Sequence, residues 1–166
     1  MREVVRSESF ETVQTYFNVL NPSAGYTGHT GGEQDYEGLI DTAALAGKGV
    51  IVIRVLAAGA AAGLSSRPAN AGDPGGVGGA SYADDLSHAS RLEGLAREFG
   101  LEGLAELAIR FGLSKPGVST VLVGYSNKAQ LEEAIRYAER GALPDDAIQR
   151  VLVMDYDRGT EVSPTP

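Results

Sequence analysis

The run GVIVIRVL, Gly49 to Leu56, restricts the fold most, because it is apolar from Val50 onward except for Arg54. A strand with one wet face alternates apolar and polar residues. A run without alternation suits a strand covered on both faces, as in a parallel sheet. A second strand is predicted over VQTYFNVL, Val13 to Leu20, which is rich in β-branched and aromatic residues and closes at the Asn21-Pro22-Ser23 turn. A third, residues 118–123, follows the breaker Pro116-Gly117 and runs through Gly-Tyr-Ser-Asn straight into a helix.

Helices are predicted between and after these strands. One covers 36–46, with Leu39, Ile40, Ala43 and Ala44 on one face. Two more cover 82–98 and 101–114, the latter with a stripe of Leu101, Leu104, Ala105, Ala108 and Phe111. A helix over 128–140 should bury Leu131, Ala134, Ile135 and Ala138. The last, over 144–154, should bury Ile148, Val151 and Leu152. Gly47 and Gly141 stand where helices should end. Residues 2–9 read as the end of an earlier helix. Residues 24–34 and the Ala/Gly/Pro-rich stretch 57–79 read as loops, the second with no capacity to build core. The tail 155–166 is expected to be disordered, leaving one domain over 1–154. Strands alternating with helices predict an α/β fold, parallel strands joined by helical crossovers. Three strands are too few for a closed barrel or a well-covered doubly wound sheet.

The 166 residues suffice for one domain with a real core, and a net charge of −8 argues against a general nucleic-acid binder. No cysteine is present, so disulfides, thiolate catalysis and cysteine-ligated metals are excluded. His29 and His88 lack metal-ligand spacing, so no metal site is predicted. No apolar run is long enough to span a membrane and the start has no signal-peptide core, so the expected location is cytoplasmic.

The chemistry-bearing motif is VSTVLVGYSNKAQLEEAI, residues 118–135. Where strand hands over to helix, unpaired N–H groups and the helix dipole can hold an anion. The same residues also fit a capping box, since Asn127 and Gln130 have the N-cap-to-N3 spacing and Gln130 can reach back to the N-cap amide. Both readings stay open on the residues alone.

Taken in order, VQTYFNVLNPSA, GVIVIRVLAAGAAAG, LEGLAELAIRFGLSKPGVSTVLVGYSNKAQLEEAI and GALP resemble the C-terminal half of an aldo-keto reductase. The resemblance covers about residues 2–150 and is most specific over 101–135. It implies the C-terminal part of a (β/α)8 TIM barrel, with the three strands as its sixth, seventh and eighth, and Met1 inside the preceding helix. It implies an NADP(H)-dependent oxidoreductase that passes hydride to a carbonyl, with NAD(H) not excluded. The positions matching the family's cofactor site are Gln14 for the nicotinamide carboxamide, Leu56, Gly59 and Ala60 in the loop over the pyrophosphate, and Gly124, Tyr125, Ser126, Asn127, Gln130 and Glu133 around the adenosine 2′-phosphate and ribose. Gln130 stands where many members carry an arginine that grips this phosphate, and Lys128 is a nearby substitute charge. Ile53 aligns with the aromatic that stacks on nicotinamide in the wider family, and Arg54 beside it is expected to be an ion-paired strand residue. Asn21 and Ser23 are weaker candidates for substrate contact.

The family's catalytic aspartate, tyrosine, lysine and histidine lie on its first four strands, and no position here matches them. Lys48, Lys115, Lys128 and Tyr16 fall elsewhere, so no catalytic residue is expected and the chain alone should be inactive. The same resemblance leaves two rivals to a cofactor-binding half. One is a half-barrel that pairs with itself or with a separate N-terminal half through its open strand edges. The other is a truncated product without independent function.

Overall fold

The computed structural model describes residues 5, 7, 9–30, 34–69 and 81–160, the last six (155–160) as backbone only. Three strands form one parallel sheet: β1 (Thr12–Tyr16), β2 (Gly49–Ile53) and β3 (Thr120–Val121), in that spatial order. Val13 pairs with Val50 and Thr15 with Val52, and Val52 pairs in turn with Val121. The helices are α1 (Leu39–Leu45), α2 (Tyr82–Arg91), α3 (Glu93–Glu98), α4 (Leu104–Ser114), α5 (Lys128–Glu139) and α6 (Asp145–Thr160). Sequential parallel strands with helical crossovers are what the alternation predicts. Among the described residues no helix is long and apolar enough to cross a membrane.

The sheet is covered on one face. Val50, Val52 and Thr15 point to the helical side and are buried. Phe17, just past β1, stacks on Phe111 of α4 with ring centroids 5.1 Å apart, and Tyr26 leans on both rings. Such pairs add about 1 kcal/mol each beyond the area they bury. On the other face Gln14, Ile51, Ile53 and Leu122 are exposed or half-buried. The apolar run that predicts burial on both faces is therefore covered on only one by the described residues.

α4 is the central element. Leu104, Leu107, Ala108, Ile109 and Phe111 are all buried, so it is apolar nearly all round rather than striped. α1 buries Leu39, Ile40 and Ala43 but exposes Ala44. The single helix expected over 82–98 breaks at Leu92 into α2 and α3. α5 is turned differently from the prediction. Tyr137 is its buried residue, Leu131 and Ala134 are half-buried, and Ile135 and Ala138 face outward. α6 runs to Thr160, six residues beyond its expected end, so the start of the expected disordered tail is helical. Residues 161–166 lie outside the described residues, as does most of the expected helix end over 2–9, of which Val5 is helical and buried.

The stretch expected to be a loop without core is partly core. Ala57–Ala62 forms a 3₁₀ segment that buries Gly59, Ala60 and Ala61. Ala57, Ala58 and Gly59 take positive φ in succession (45°, 55° and 103°), a left-handed turn. Small side chains let this backbone pack where a larger residue would not fit, so the segment is both strained and buried. Of the rest of the predicted loop, 63–69 is irregular and 70–79 lies outside the described residues.

Candidate functional site

One cavity of about 280 Å³ lies where β3 passes into α5. Its floor is Gly124, Tyr125 and Ser126. One wall is α5, through Gln130, Glu133, Ala134 and Tyr137. The opposite wall is the 3₁₀ segment and its continuation, through Leu56, Gly59, Leu64 and Pro68, and α4 closes the back with Ala105 and Ile109. The walls are mostly apolar, with polar groups concentrated at the strand-to-helix turn. This is the usual make-up of a small-molecule site.

Local chemistry fixes the turn. Asn127 is the N-cap of α5, and its side-chain oxygen accepts from the Gln130 amide at 3.0 Å. The Gln130 side chain reaches back to accept from the Ser126 amide at 2.8 Å. The sequence places that return contact at the N-cap amide; it lands one residue earlier, because the chain bends before Asn127. The capping role is therefore filled, and two N–H groups of the turn are taken by it.

The opposite wall is held by Tyr82 of α2, whose hydroxyl donates to the Leu64 carbonyl at 2.8 Å. Burial pushes the Tyr82 phenol up, with the Arg67 guanidinium over the ring opposing and Asp85 reinforcing the shift. Tyr82→Phe leaves the Leu64 carbonyl without this donor and should cost about 1–2 kcal/mol, read as a lower midpoint with an unchanged slope in urea unfolding. An unchanged midpoint would show that the bond does not support the wall.

Seven of the sequence-predicted cofactor positions line this one cavity: Leu56, Gly59, Gly124, Tyr125, Ser126, Gln130 and Glu133. Three do not. Ala60 is fully buried beneath it. Asn127 caps the helix. Gln14 lies on the open face of the sheet, in register with Ile51. Ile53 is half-buried on that same face. Arg54 is past the end of β2, at φ 61°, with its guanidinium 5.6 Å from the centre of the Tyr16 ring rather than in the strand position expected of it.

Asn21 and Ser23 are buried and build their own loop. The Asn21 side chain accepts from the Ser23 hydroxyl at 2.7 Å and donates to the Gln34 carbonyl, and the Ser23 hydroxyl accepts from the Tyr36 amide. Their place in the structure is that of a buried turn, and neither lines the cavity. Leu64, Pro68, Ile109, Ala134 and Tyr137 are among the nine further residues that line the cavity and are not predicted from sequence as site positions. An apolar wall residue carries no signal that separates it from core.

The family model for the aldo/keto reductase family matches residues 8–153. Among solved structures the chain is similar to aldo-keto reductase AKR11C1 from Bacillus halodurans. The holo form gives a TM-score of 0.62 at 19% identity over 92% of this chain and 45% of that one. The apo form gives 0.60 at 20% identity over 92% and 46%. This likeness is one of fold, and the chain spans less than half the length of those structures. No curated protein matches it.

Proposed function

The chain belongs to the aldo/keto reductase family, and we propose that its part in that chemistry is to hold the nicotinamide dinucleotide, NADP(H) by the family resemblance, from which hydride passes to a carbonyl. The observation that carries this reading is the convergence of seven expected cofactor positions on one cavity. Size supports it further. The volume lies just under the range of about 300–1,000 Å³ that encloses a drug-sized ligand, so the cavity suits one end of a dinucleotide rather than its whole length. The apolar side chains Leu64, Pro68, Ile109 and Tyr137 suit a planar heteroaromatic ring, and the Glu133 and Gln130 side chains suit the sugar hydroxyls beside it. Gln14 and Ile53, on the open sheet face, would meet the nicotinamide end.

When bound, the cofactor supplies the hydride. The residues of this chain bind and orient it and exclude water from its adenosine end. We assign no proton donor to the chain, because no position matches the family's catalytic tetrad, so reduction needs those residues supplied with it. Titration of the purified chain with a reduced dinucleotide, followed by the cofactor's own emission, should give a saturable change. Ala134→Trp fills the cavity and should weaken binding about tenfold or more while the far-UV signal stays native. Absence of saturable binding by the folded chain would overturn the reading.

A second reading is favoured by one observation: the sheet face left uncovered by the described residues, on which Leu122 is 52% exposed. Both outer strands also present unpaired edges among the described residues. A half-barrel that pairs with a copy of itself, or with a separate half-barrel, would cover them. Light scattering after size exclusion should then give more than one chain per particle, and a monomer at high concentration would remove self-pairing.

A further inference from the structure

We propose that Arg54 is an anion-recognition residue at the C-terminal end of the sheet, held in position by Asn18, and that its ligand is a small molecule bearing a carboxylate or a phosphate. Arg54 does not line the dinucleotide cavity, so the assignment stands apart from it. Naming that molecule as the carbonyl substrate is the one step that rests on the cofactor reading above.

The backbone carries the first part of the argument. Arg54 has φ +61°, in the left-handed region where a residue with a long side chain is strained. Glycine adopts such a φ at little cost, and among the described residues nine glycines do so. Glu37, Ala57 and Ala58 share the sign, but the alanines carry only a methyl group and Glu37 sits in an exposed turn closed by the Asp35 carboxylate. Arg54 is instead pinned by a buried side chain. Asn18, 6% exposed, donates through Nδ2 to the Arg54 carbonyl at 3.0 Å. Its Oδ1 accepts from the Leu20 and Asn21 amides, both at 2.9 Å, which fixes the direction of the donor. A strained residue that its surroundings over-determine points to a use for its side chain.

The guanidinium lies over the Tyr16 ring, 5.6 Å from its centre, and the Tyr36 ring stands 6.0 Å from that of Tyr16. The ring contact engages the flat of the guanidinium and none of its five N–H donors. Arginine presents those donors as a planar fork that matches carboxylate or phosphate oxygens two at a time. The C-terminal ends of parallel strands are where sheets of this kind hold their ligands. The open face leading to Arg54 presents Gln14, Tyr16, Ile51, Ile53 and Leu122, none of them charged. An anion over this face therefore meets no carboxylate from these strands, in a chain whose net charge is −8.

NMR of the isotope-labelled chain tests this through the arginine Nε–H signals, with Arg54→Gly identifying the Arg54 signal by its loss. Sodium malonate and sodium phosphate are the probes, each compared with sodium chloride at equal ionic strength. The expected result is a saturable shift of the Arg54 signal beyond that given by chloride. Arg54→Gly removes the strain together with the side chain, so it should melt at or above the parent temperature. Asn18→Asp keeps the acceptor for the Leu20 and Asn21 amides and loses the donor to Arg54, and should weaken the response about tenfold. If that variant does not fold, Arg54→Gly decides alone. No shift beyond chloride, a lower melting temperature for Arg54→Gly, or a folded Asn18→Asp that responds like the parent would overturn the proposal. So would a response to adenosine diphosphate with none to malonate or phosphate, which would give Arg54 to the dinucleotide. A response to malonate or phosphate in a chain that binds no dinucleotide would keep the anion site and remove only the cofactor reading.

Discussion

Gly59→Val should lower stability by about 4 kcal/mol and the melting temperature by roughly 10 °C. Two effects add. Gly59 sits at φ +103°, a conformation that side-chain-bearing residues rarely adopt. A Cβ there would also stand 2.9 Å from Leu64 Cδ1, 3.1 Å from Pro68 Cδ and 3.3 Å from the Tyr82 hydroxyl. The leucine tip can move aside for a single methyl, but the proline ring cannot, and valine adds two further carbons in a buried position. Gly47→Ala is the control for backbone strain alone. Gly47 has φ +68° with nothing within 4 Å of a would-be Cβ, so alanine there should cost only about 1–2 kcal/mol. Because Gly59, Leu64 and Pro68 wall the same cavity, Gly59→Val should also weaken dinucleotide binding, whereas Gly47→Ala should not. Calorimetric melts of both variants decide the matter. Equal losses would mean that the wall yields and packing at Gly59 counts for nothing.

The second large effect is expected at Glu106, which is only 1% exposed in the first turn of α4. Its carboxylate accepts from the Glu102 amide at 2.8 Å, from Arg110 at 2.9 Å and from Arg140 at 2.7 Å. Arg110 continues to the Gly141 and Ala142 carbonyls, and Arg140 and Arg136 both reach Glu102. One carboxylate thus ties the start of α4 to the end of α5. Burial alone would raise its pKa, but the Glu102 amide and the two guanidiniums outweigh burial and hold it below the ordinary glutamate value. A carboxyl depressed in the folded state stabilises fully above the unfolded pKa of about 4.3 and loses that contribution as pH falls through the lower folded value. Glu106→Ala should cost about 3 kcal/mol near neutrality, since it leaves a buried amide and two partly covered guanidiniums without their acceptor. The loss should shrink as pH is lowered below 4, where the parent gives up the same interaction. A loss that stays constant from pH 7 to pH 3 would show that packing, not charge, explains it.

Much of the fold is legible in the residues. The unalternating Val50–Leu56 run and the strand-turn-helix at 118–135 specify parallel strands with crossovers, and the observed sheet is parallel in sequential order. Gly47 and Gly141 stand just past α1 and α5 in the left-handed conformation that glycine adopts most easily. Asn127 caps α5, because a short side-chain acceptor before a helix acts through its immediate neighbours alone. These features depend on local chemistry and are therefore readable without the rest of the molecule.

What the sequence leaves open depends on who the neighbours are. Leu131, Ala134, Ile135, Tyr137 and Ala138 could form more than one stripe on α5, and only contact with α4 decides that Tyr137 turns inward and Ile135 outward. The Ala/Gly run 57–62 carries no apolar periodicity. Its burial follows from how closely Leu64, Pro68 and Tyr82 approach Gly59. The apolar alternate residues of β2 read as doubly covered, yet Ile51 and Ile53 stay half-open because no described element lies over that face. The residues by themselves determined that three strands form, their parallel sense and the ends of α1 and α5, since those follow from backbone geometry and short-range hydrogen bonds. Only the tertiary structure decided that seven scattered positions share one cavity and which charges line it, since packing sets distances between residues far apart in the chain.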